Sequence, residues 1–214
     1  MDLHTQRSDM VRDQLQRRGV KDPPVLAAME QVPREAFVPE GLREMSYQDS
    51  PLPIGEGQTI SQPFIVARMI ERLGLTPEDK VLEIGSGSGY GAAILSRIAD
   101  TVYTVERRAS LAEAARKKLH KLDYDNIHMV VGDGSLGWPE NAPYDAVVGT
   151  AGAPKVPEPL KEQLSVGGRL VFPVGTVPQQ QVLIRLRKTA EDRFEQEEME
   201  AVRFVPLVGE AGWQ

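Results

Sequence analysis

The chain has 214 residues, a length that suits one domain, and its formal net charge of −6 argues against a general affinity for nucleic acid or an anionic membrane. It contains no cysteine, which excludes disulfides, thiolate metal sites and a cysteine nucleophile, and fits a reducing compartment. The first residues are polar and no run of about 18 apolar residues occurs, so we expect a cytoplasmic protein without a signal peptide or a membrane span.

Two short amphipathic helices open the chain. Apolar residues recur near helical spacing within residues 7–18, and Gly19 closes this first helix. The second begins at residues 22–24, where Asp-Pro-Pro is typical of a helix start. Residues 33–47 are mixed in character. We expect an N-terminal helical cap, which either only packs on the rest of the protein or also takes part in substrate binding.

An unusual loop covers residues 49–63. Two prolines and two glycines within a few residues specify a shaped loop, and Pro63 suits the first position of a following helix. Thr59 and Ser61 therefore lie just ahead of a helix N-terminus, whose free N–H groups favour an anion such as a carboxylate. The alternative is that Ser61 or Gln62 only caps the helix.

Strands and helices alternate from Lys80 onward. The predicted strands cover residues 81–84, 101–106, 127–131, 144–150 and 169–174. The predicted helices run from the end of the first strand's turn to about residue 98, and over residues 109–122 and 157–164. This alternation indicates a doubly wound parallel sheet.

Two further alternating segments, residues 181–187 and 200–207, have no helix between them and predict a hairpin-like edge that completes seven strands. Residues 195–198, which read Glu-Gln-Glu-Glu, are interpreted as a solvated loop or turn.

The first strand of this sheet runs directly into a glycine-rich turn, Gly-Ser-Gly-Ser-Gly-Tyr-Gly over residues 85–91. Glycine allows positive φ and a close approach of the backbone to a ligand, and the helix that follows presents free N–H groups. The turn predicts a nucleotide or cofactor site. The alternative is a tight turn that binds nothing, although such a turn rarely needs three alternating glycines.

Ligands of such sheets bind at the carboxyl ends of the strands, where Glu106 and Asp133 follow the second and third strands. An acid at position 106 can accept both hydroxyls of an adenosine ribose and disfavours a 2′-phosphate. The alternative is that Glu106 is an ordinary surface acid at a strand end.

The cofactor could be NAD or S-adenosylmethionine. The dinucleotide fingerprint G-x-G-x-x-G is a weak match, because the sixth position counted from Gly85 is Tyr90. Glu83 precedes the turn, and its carboxylate would repel a pyrophosphate but stabilise the ammonium and sulfonium groups of S-adenosylmethionine. A structural role for a buried Glu83 is disfavoured because an unpaired buried charge is costly. The pattern therefore favours the methyl donor.

With these motifs in place, the chain resembles the protein-L-isoaspartate (D-aspartate) O-methyltransferase family from about residue 8 to residue 213. The resemblance depends on a specific substrate loop, a cofactor motif, three later motifs and a C-terminal strand, at residues 49–63, 81–90, 132–134, 142–146, 167–175 and 202–207. Glycines in residues 149–154 stand where the family commonly has larger residues or alanine. The family also has an unusual order of the last two strands.

The resemblance implies a Rossmann-like S-adenosylmethionine-dependent methyltransferase, with residues 1–78 as cap and substrate loop and residues 79–214 as the cofactor-binding core of a single domain. It implies methyl transfer to the free α-carboxyl of L-isoaspartyl residues in damaged proteins and peptides, with D-aspartyl residues as an open second substrate. The methyl ester then breaks down through a succinimide. The products are S-adenosyl-L-homocysteine and a partly repaired chain.

The same resemblance assigns the site. Ser61 is implied as the active-site serine, whose hydroxyl holds the substrate carboxylate, with Thr59, Gln62 and Val208 as further substrate contacts. The implied cofactor-binding residues are Thr59, Ile60, Glu83, Gly85, Ser86, Gly87, Ser88, Gly89, Glu106, Arg107, Gly132 and Asp133.

Neither a metal site nor a strong general base is expected, because a carboxylate is already ionised near pH 7 and the three histidines lie outside the motifs. The resemblance favours a monomer, whereas the expectation that the protein binds neither nucleic acid nor membrane comes from its net charge and composition. Three alternatives remain open at this point. They are a methyltransferase for another carboxylate or small molecule, a module that senses S-adenosylmethionine without catalysis, and an NAD-dependent dehydrogenase.

Overall fold

The computed structural model describes residues 2–178 and 180–213. The chain begins with helix α1, Leu3–Asp9, which continues through a π-helical stretch, Met10–Leu15, and a 3₁₀ turn, Gln16–Arg18. The helix starts earlier than the predicted residue 7, because Asp2 caps it by accepting a hydrogen bond from the Thr5 amide at 2.9 Å. Gly19 ends it with φ of 92°, as predicted, and helix α2 follows at Pro23–Gln31.

The predicted shaped loop contains a small antiparallel hairpin, β1 at Leu52–Gly55 and β2 at Gln58–Ile60. Its strands are too short for a visible alternation of apolar and polar residues. Gly55, Glu56 and Gly57 all have positive φ, and they form the tip of the hairpin. Helix α3, Pro63–Leu73, then begins at the predicted proline, and Gly74 ends it in the left-handed conformation.

The main sheet has seven strands, which confirms the predicted α/β class. Its parallel strands are β3 Lys80–Ile84, β4 Thr101–Glu106, β5 Ile127–Val131 and β6 Tyr144–Gly149, followed by β7 Leu164–Val177. The strands β8 Gln180–Ala190 and β9 Arg193–Val202 are antiparallel to their neighbours. Helices α4 Tyr90–Ser96, α5 Ala109–Lys121 and α6 Glu158–Glu162 connect the parallel strands. The spatial order is β5-β4-β3-β6-β7-β8-β9, so the last three strands lie side by side in chain order.

Two expectations for the C-terminal edge were wrong. Residues 195–198 are not a loop but part of edge strand β9, in which Glu197 lies opposite Arg185 and pairs with it at 3.7 Å. An edge strand bears charges on its open side, which hides the strand pattern in the sequence. Residues 203–207 do not continue a strand, because β9 ends at Val202.

Alternate residues of the strands face opposite sides of the sheet and build two buried clusters. Val81 and Val148 belong to the cluster that includes the N-terminal helices, whereas Leu82 and Val147 belong to the other. The N-terminal cap therefore shares a continuous core with one face of the sheet. No helix in the described part of the chain is long and apolar enough to cross a membrane.

The glycines at positions 149 and 152 are explained by close packing. A Cβ atom on Gly149 would lie 2.2 Å from the ring of Phe172, and one on Gly152 would lie 2.4 Å from the amide of Gln181. That amide in turn holds the backbone of Phe204, with a hydrogen bond of 2.7 Å from the Phe204 N–H to the Gln181 carbonyl oxygen. Gly149, the last residue of β6, thus makes room for Phe172 of β7, and Gly152 lets the amide of Gln181 hold the C-terminal segment close to the sheet.

Candidate active site

Three cavities open at the carboxyl ends of the parallel strands and meet at Thr59 and Thr150, which line all three. The inner cavity lies between the start of α3 and the glycine-rich turn and includes Ser61, Met69, Glu83, Ser86 and Tyr90. The outer groove follows the ends of β3 and β4 and includes Glu56, Gly87, Glu106, Arg107 and Val208. The cleft faces the C-terminal segment and includes Pro51, Ser61, Gln62, Arg203 and Phe204.

The glycine-rich turn has the backbone conformation that its sequence predicts. Gly85, Gly87 and Gly89 have φ of 96°, 51° and 88°. Gly85 and Gly87 line the inner cavity and the outer groove, and the N–H of Gly87 donates to Glu106 at 2.8 Å. Gly89 has a different place, because it begins α4 and packs against helix α5 outside the three cavities. Ser88 lines the inner cavity.

Glu83 is a buried acid in the wall of the inner cavity, with 1% of its surface exposed. Thr104 donates to its carboxylate at 2.6 Å and also contacts the hydroxyl of Ser86 at 2.6 Å. No Lys, Arg or His pairs with Glu83 within residues 2–178 and 180–213. Burial, together with the charge of nearby Glu106, therefore raises the pKa of Glu83 to about 8, against the opposing effect of the Thr104 hydrogen bond. A cation in the inner cavity would stabilise the ionised carboxylate.

Glu106 lies at the carboxyl end of β4 and is 7% exposed. Its two oxygens accept backbone hydrogen bonds from Gly87, at 2.8 Å, and Arg108, at 2.9 Å, so the side chain is held in one orientation facing the outer groove. The neighbouring Arg107 reaches across the groove and donates to the carbonyl oxygen of Val208 at 3.2 Å. Val208, expected as a substrate contact, thus lines the outer groove and not the cleft.

The segment 59–62 connects the three cavities. Ile60 is buried in the wall of the inner cavity, and Ser61 lines both the inner cavity and the cleft. The Ser61 hydroxyl has no hydrogen-bond partner among the described residues, and Gln62, at the N-cap position of α3, makes no side-chain capping bond. The alternative that these residues only cap the helix therefore has no support in the geometry.

Gly132 and Asp133 do not line the three cavities in the described part of the structure. The carboxylate of Asp133 accepts hydrogen bonds from the N–H of Ser135 at 3.0 Å and of Glu210 at 2.8 Å. These bonds lower the pKa of Asp133, against a raising effect of burial. Asp133 thereby fixes the C-terminal segment beside the outer groove, where the next residue, Gly134, is part of the wall.

Sequence reasoning missed two groups of cavity residues. Thr150 donates from its hydroxyl to the carbonyl of Gly85 at 2.6 Å and so holds β3 and β6 together at the point where the cavities meet. Thr150 directly follows a strand that neighbours the first strand of the sheet, and this position could have predicted it as a ligand-site residue. Arg203 and Phe204 come from a segment far away in sequence, and no local pattern marks them as cleft residues.

The cleft is largely apolar. Pro51, Pro178 and Pro206 contribute to its walls, and Arg203 is the one charged side chain among the described lining residues. Arg203 is exposed and has no ion pair or hydrogen bond within the described ranges. No cluster of three or more His, Asp or Glu side chains able to hold a metal ion occurs in the described residues.

The fold and these cavities define a Rossmann-like protein with a small-molecule site at the carboxyl edge of its sheet and an open cleft beside it. The protein-L-isoaspartate(D-aspartate) O-methyltransferase family model matches residues 5–212. Protein-L-isoaspartate O-methyltransferase 1 of Geotalea uraniireducens is 60% identical over 211 residues, which cover 99% of this chain and 96% of that protein. Protein-L-isoaspartate O-methyltransferase 2 of Pelobacter propionicus is 61% identical over 207 residues, covering 97% and 92%.

Solved structures agree with these relatives. A protein-L-isoaspartate O-methyltransferase matches with a TM-score of 0.86 and 32% identity over 96% of this chain and 67% of that chain. A Plasmodium falciparum protein of the same description, in complex with S-adenosyl-L-homocysteine, matches with a TM-score of 0.82 and 26% identity over 94% and 98%. The chain belongs to the protein-L-isoaspartate(D-aspartate) O-methyltransferase family.

Proposed function

We propose that the protein transfers a methyl group from S-adenosylmethionine to the free α-carboxyl of L-isoaspartyl residues in damaged proteins and peptides. The backbone nitrogen of the following residue then attacks the ester carbonyl and methanol leaves, which gives a succinimide. Hydrolysis of the succinimide returns some residues to normal aspartate. The observation that carries the proposal is the position of Ser61 and Thr59 between two compartments. One compartment contains a buried acid suited to a cationic cofactor, and the other opens toward a peptide.

The residues of the inner cavity and outer groove fit S-adenosylmethionine. Glu83 is a buried acid for which the described protein supplies no cationic partner, and the ammonium group of the cofactor would provide one. Glu106, fixed by two backbone amides, would accept the ribose hydroxyls, and the glycine-rich turn permits a close approach. When bound, the cofactor supplies an electrophilic methyl group on its sulfonium. Thr59, Ile60, Gly85, Ser86, Gly87, Ser88 and Arg107 complete the proposed cofactor contacts, with Gly89, Gly132 and Asp133 acting through the shape of the walls.

The chain's own contribution is orientation. The substrate carboxylate is ionised near neutral pH, so no general base has to remove a proton from it. We propose that the Ser61 hydroxyl donates a hydrogen bond to this carboxylate, with Thr59 and Gln62 contacting the peptide around it. In well-oriented intramolecular reactions, a fixed geometry of this kind lowers the barrier by about 7–11 kcal/mol. The walls of the cleft beside Ser61 are largely apolar and rich in proline.

The test is methylation of an isoaspartyl peptide beside its normal aspartyl twin, with a labelled methyl donor. We expect label only on the isoaspartyl peptide. Ser61→Ala should lower turnover about 100-fold, because one oriented donor to the reacting group is lost, while affinity for S-adenosyl-L-homocysteine stays within about twofold. Ser165→Ala, which removes a hydroxyl from β7 far from the cleft, is the matched control and should keep full turnover.

Three results would argue against the proposal in different ways. Label on another carboxylate or small molecule, but not on the peptide, would support the alternative methyltransferase. Binding of S-adenosylmethionine without any transfer would indicate a sensor, and a thermal shift with NAD alone would indicate a dehydrogenase.

We further propose that the chain forms one domain, with residues 1–78 as cap and substrate loop and 79–214 as cofactor core. We propose that it acts as a cytoplasmic monomer that binds neither nucleic acid nor membrane. Sedimentation of the purified chain tests the monomer.

A further inference from the structure

The side chain of Gln62 is hydrogen-bonded to a carboxylate outside the cleft. Its side-chain nitrogen donates to the carboxylate of Asp49 at 2.6 Å and to the Asp49 carbonyl oxygen at 3.1 Å. Asp49 precedes β1, whereas Gln62 begins α3, so this pair closes the whole β1–β2 hairpin into a loop with a fixed base. Ser61 lies directly beside the closing contact. The orientation of the proposed active-site serine therefore depends on how firmly this base is held.

Asp49 is held in turn by the N-terminal cap. Arg18, at the end of the first helix, forms an ion pair with the same carboxylate oxygen that accepts from Gln62. The guanidinium of Arg18 also lies over the ring of Phe64, 3.5 Å from its centroid, and Phe64 belongs to the first turn of α3. The end of the first helix thus contacts both sides of the hairpin base. The side chain of Asp49 is only 26% exposed, so water screens this contact incompletely.

We propose that Asp49 is a positioning residue for methyl transfer, acting through Gln62 to fix the segment of Ser61, and that Arg18 anchors Asp49. This inference rests on the proposed function. Because the Gln62 nitrogen is committed to Asp49, its carbonyl oxygen is the group that Gln62 offers to the cleft, an acceptor for a peptide N–H of the substrate. The N-terminal cap then contributes to substrate binding and does more than cover the sheet.

Variants at position 49 separate the hydrogen bond from the ion pair. Asp49→Ala removes both, and kcat/KM for an isoaspartyl peptide should fall roughly 10- to 100-fold because the Ser61 segment loses its fixed geometry. Asp49→Asn keeps an acceptor oxygen for Gln62, so most of this loss should be avoided. The value of kcat/KM should fall only about fivefold in Asp49→Asn and in Arg18→Gln. Affinity for S-adenosyl-L-homocysteine should stay within about twofold of wild type in all three, since Glu83 and Glu106 are untouched.

Arg17→Gln is the matched control, because Arg17 is exposed beside Arg18 and pairs with Asp13 instead. It should behave as wild type. A double-mutant cycle with Gln62→Ala tests the route of the effect. If Asp49 acts through Gln62, Asp49→Ala should cost little more once Gln62 is gone, whereas independent sites would multiply their losses.

Hydrogen exchange of the amides in residues 58–64 gives a readout that needs no activity, and Asp49→Ala should exchange faster there than wild type. If wild type does not methylate the isoaspartyl peptide, the proposed function fails and this exchange measurement alone decides the inference. If wild type is active but Asp49→Ala keeps its kcat/KM and its exchange rates, the inference is overturned and the proposed function stands. An equal loss in Asp49→Asn and Asp49→Ala would likewise overturn the role of the Gln62 hydrogen bond.

Discussion

The cofactor half and the substrate half of the site are built in different ways. In the cofactor half, around the ends of β3 and β4, polar groups already have protein partners, as in the two backbone bonds to Glu106 and the bond from Thr104 to Glu83. In the substrate half, Ser61 and Arg203 have none among the described residues. A site whose polar groups are fixed in advance binds one ligand of constant shape, whereas free groups can serve substrates of varied sequence. Variants in the two halves should therefore change different constants.

Glu83→Gln should give the largest effect of these variants, and the effect should be limited to cofactor binding. At about pH 8 the carboxylate of the wild-type protein can ionise to meet the cofactor ammonium, and a neutral amide cannot, so affinity for S-adenosyl-L-homocysteine should fall about 100-fold. In the wild type, affinity should rise with pH up to the pKa of about 8, because binding displaces the proton that Glu83 holds below it. Calorimetry at several pH values measures both.

The free energy of unfolding should change with pH in the direction opposite to the affinity for S-adenosyl-L-homocysteine. Because the folded pKa of Glu83 is raised, the folded state binds more protons than the unfolded state between the ordinary carboxyl range and about pH 8. The free energy of unfolding attributable to this group therefore decreases as pH rises through that window, and Glu83→Gln should remove the decrease. Glu158→Gln, at an exposed ion pair on α6, is the control. An unchanged affinity and pH profile in Glu83→Gln would place the cofactor cation elsewhere.

The two halves also differ in how far the sequence predicts them. The cofactor half lies within consecutive strand and helix units, and the predicted residues 101–106 and 127–131 coincide with β4 and β5. Hydrophobic runs and glycines specify these units locally, so the positive φ of Gly85 and the place of Glu106 could be predicted. The position of Asp133 outside the cavities could not, because it depends on the distant amide of Glu210.

The substrate half depends on contacts between distant parts of the chain. The hairpin β1–β2 has too few residues to show a pattern, and β9 is hidden by its glutamates at the sheet edge. The segment of Arg203 and Phe204 is held at the cleft by the buried amide of Gln181 and by backbone hydrogen bonds between Gly152 and residues 205 and 207, all distant in sequence. The place of Ser61 just ahead of α3 could be predicted from Pro63, and its role stays a prediction of the resemblance. Its neighbours in the cleft could not be predicted.

Arg203→Glu should give an intermediate effect confined to the substrate. Arg203 is the one charge among the described residues that line the cleft, so isoaspartyl peptides with acidic flanking residues should be preferred over peptides with lysines. Reversal of the charge should raise KM for the acidic peptide roughly fivefold and lower KM for the basic one, with kcat at saturation unchanged. Arg193→Glu, at the far end of β9, should leave the preference as it is. A variant without any shift in preference would indicate that flanking residues do not reach Arg203.

Glu56→Gln should give the smallest effect and tests where the two halves touch. Glu56 lies at the tip of the hairpin and contacts the start of α5, accepting from the Ser110 hydroxyl at 2.9 Å and pairing with Arg108 at 3.4 Å. All three residues line the outer groove, so the hairpin that carries Thr59 also closes one side of the cofactor site. An amide keeps the hydrogen bond to Ser110 but loses the charge, which at this exposure is worth less than about 1 kcal/mol.

We therefore expect S-adenosyl-L-homocysteine to dissociate about two- to threefold faster from Glu56→Gln than from wild type at low salt, measured by stopped-flow competition. At high salt the two rates should converge, because salt screens the ion pair of the wild type. Glu113→Gln is the matched control, because it removes an exposed carboxylate from α5, the helix that Glu56 contacts. Glu113 pairs with Arg116 at 3.0 Å and does not line the groove. Equal dissociation rates in all three proteins would mean that the hairpin tip opens independently of this contact. In that case the substrate half would be coupled to the cofactor half only through Thr59 and Thr150, where the cavities meet.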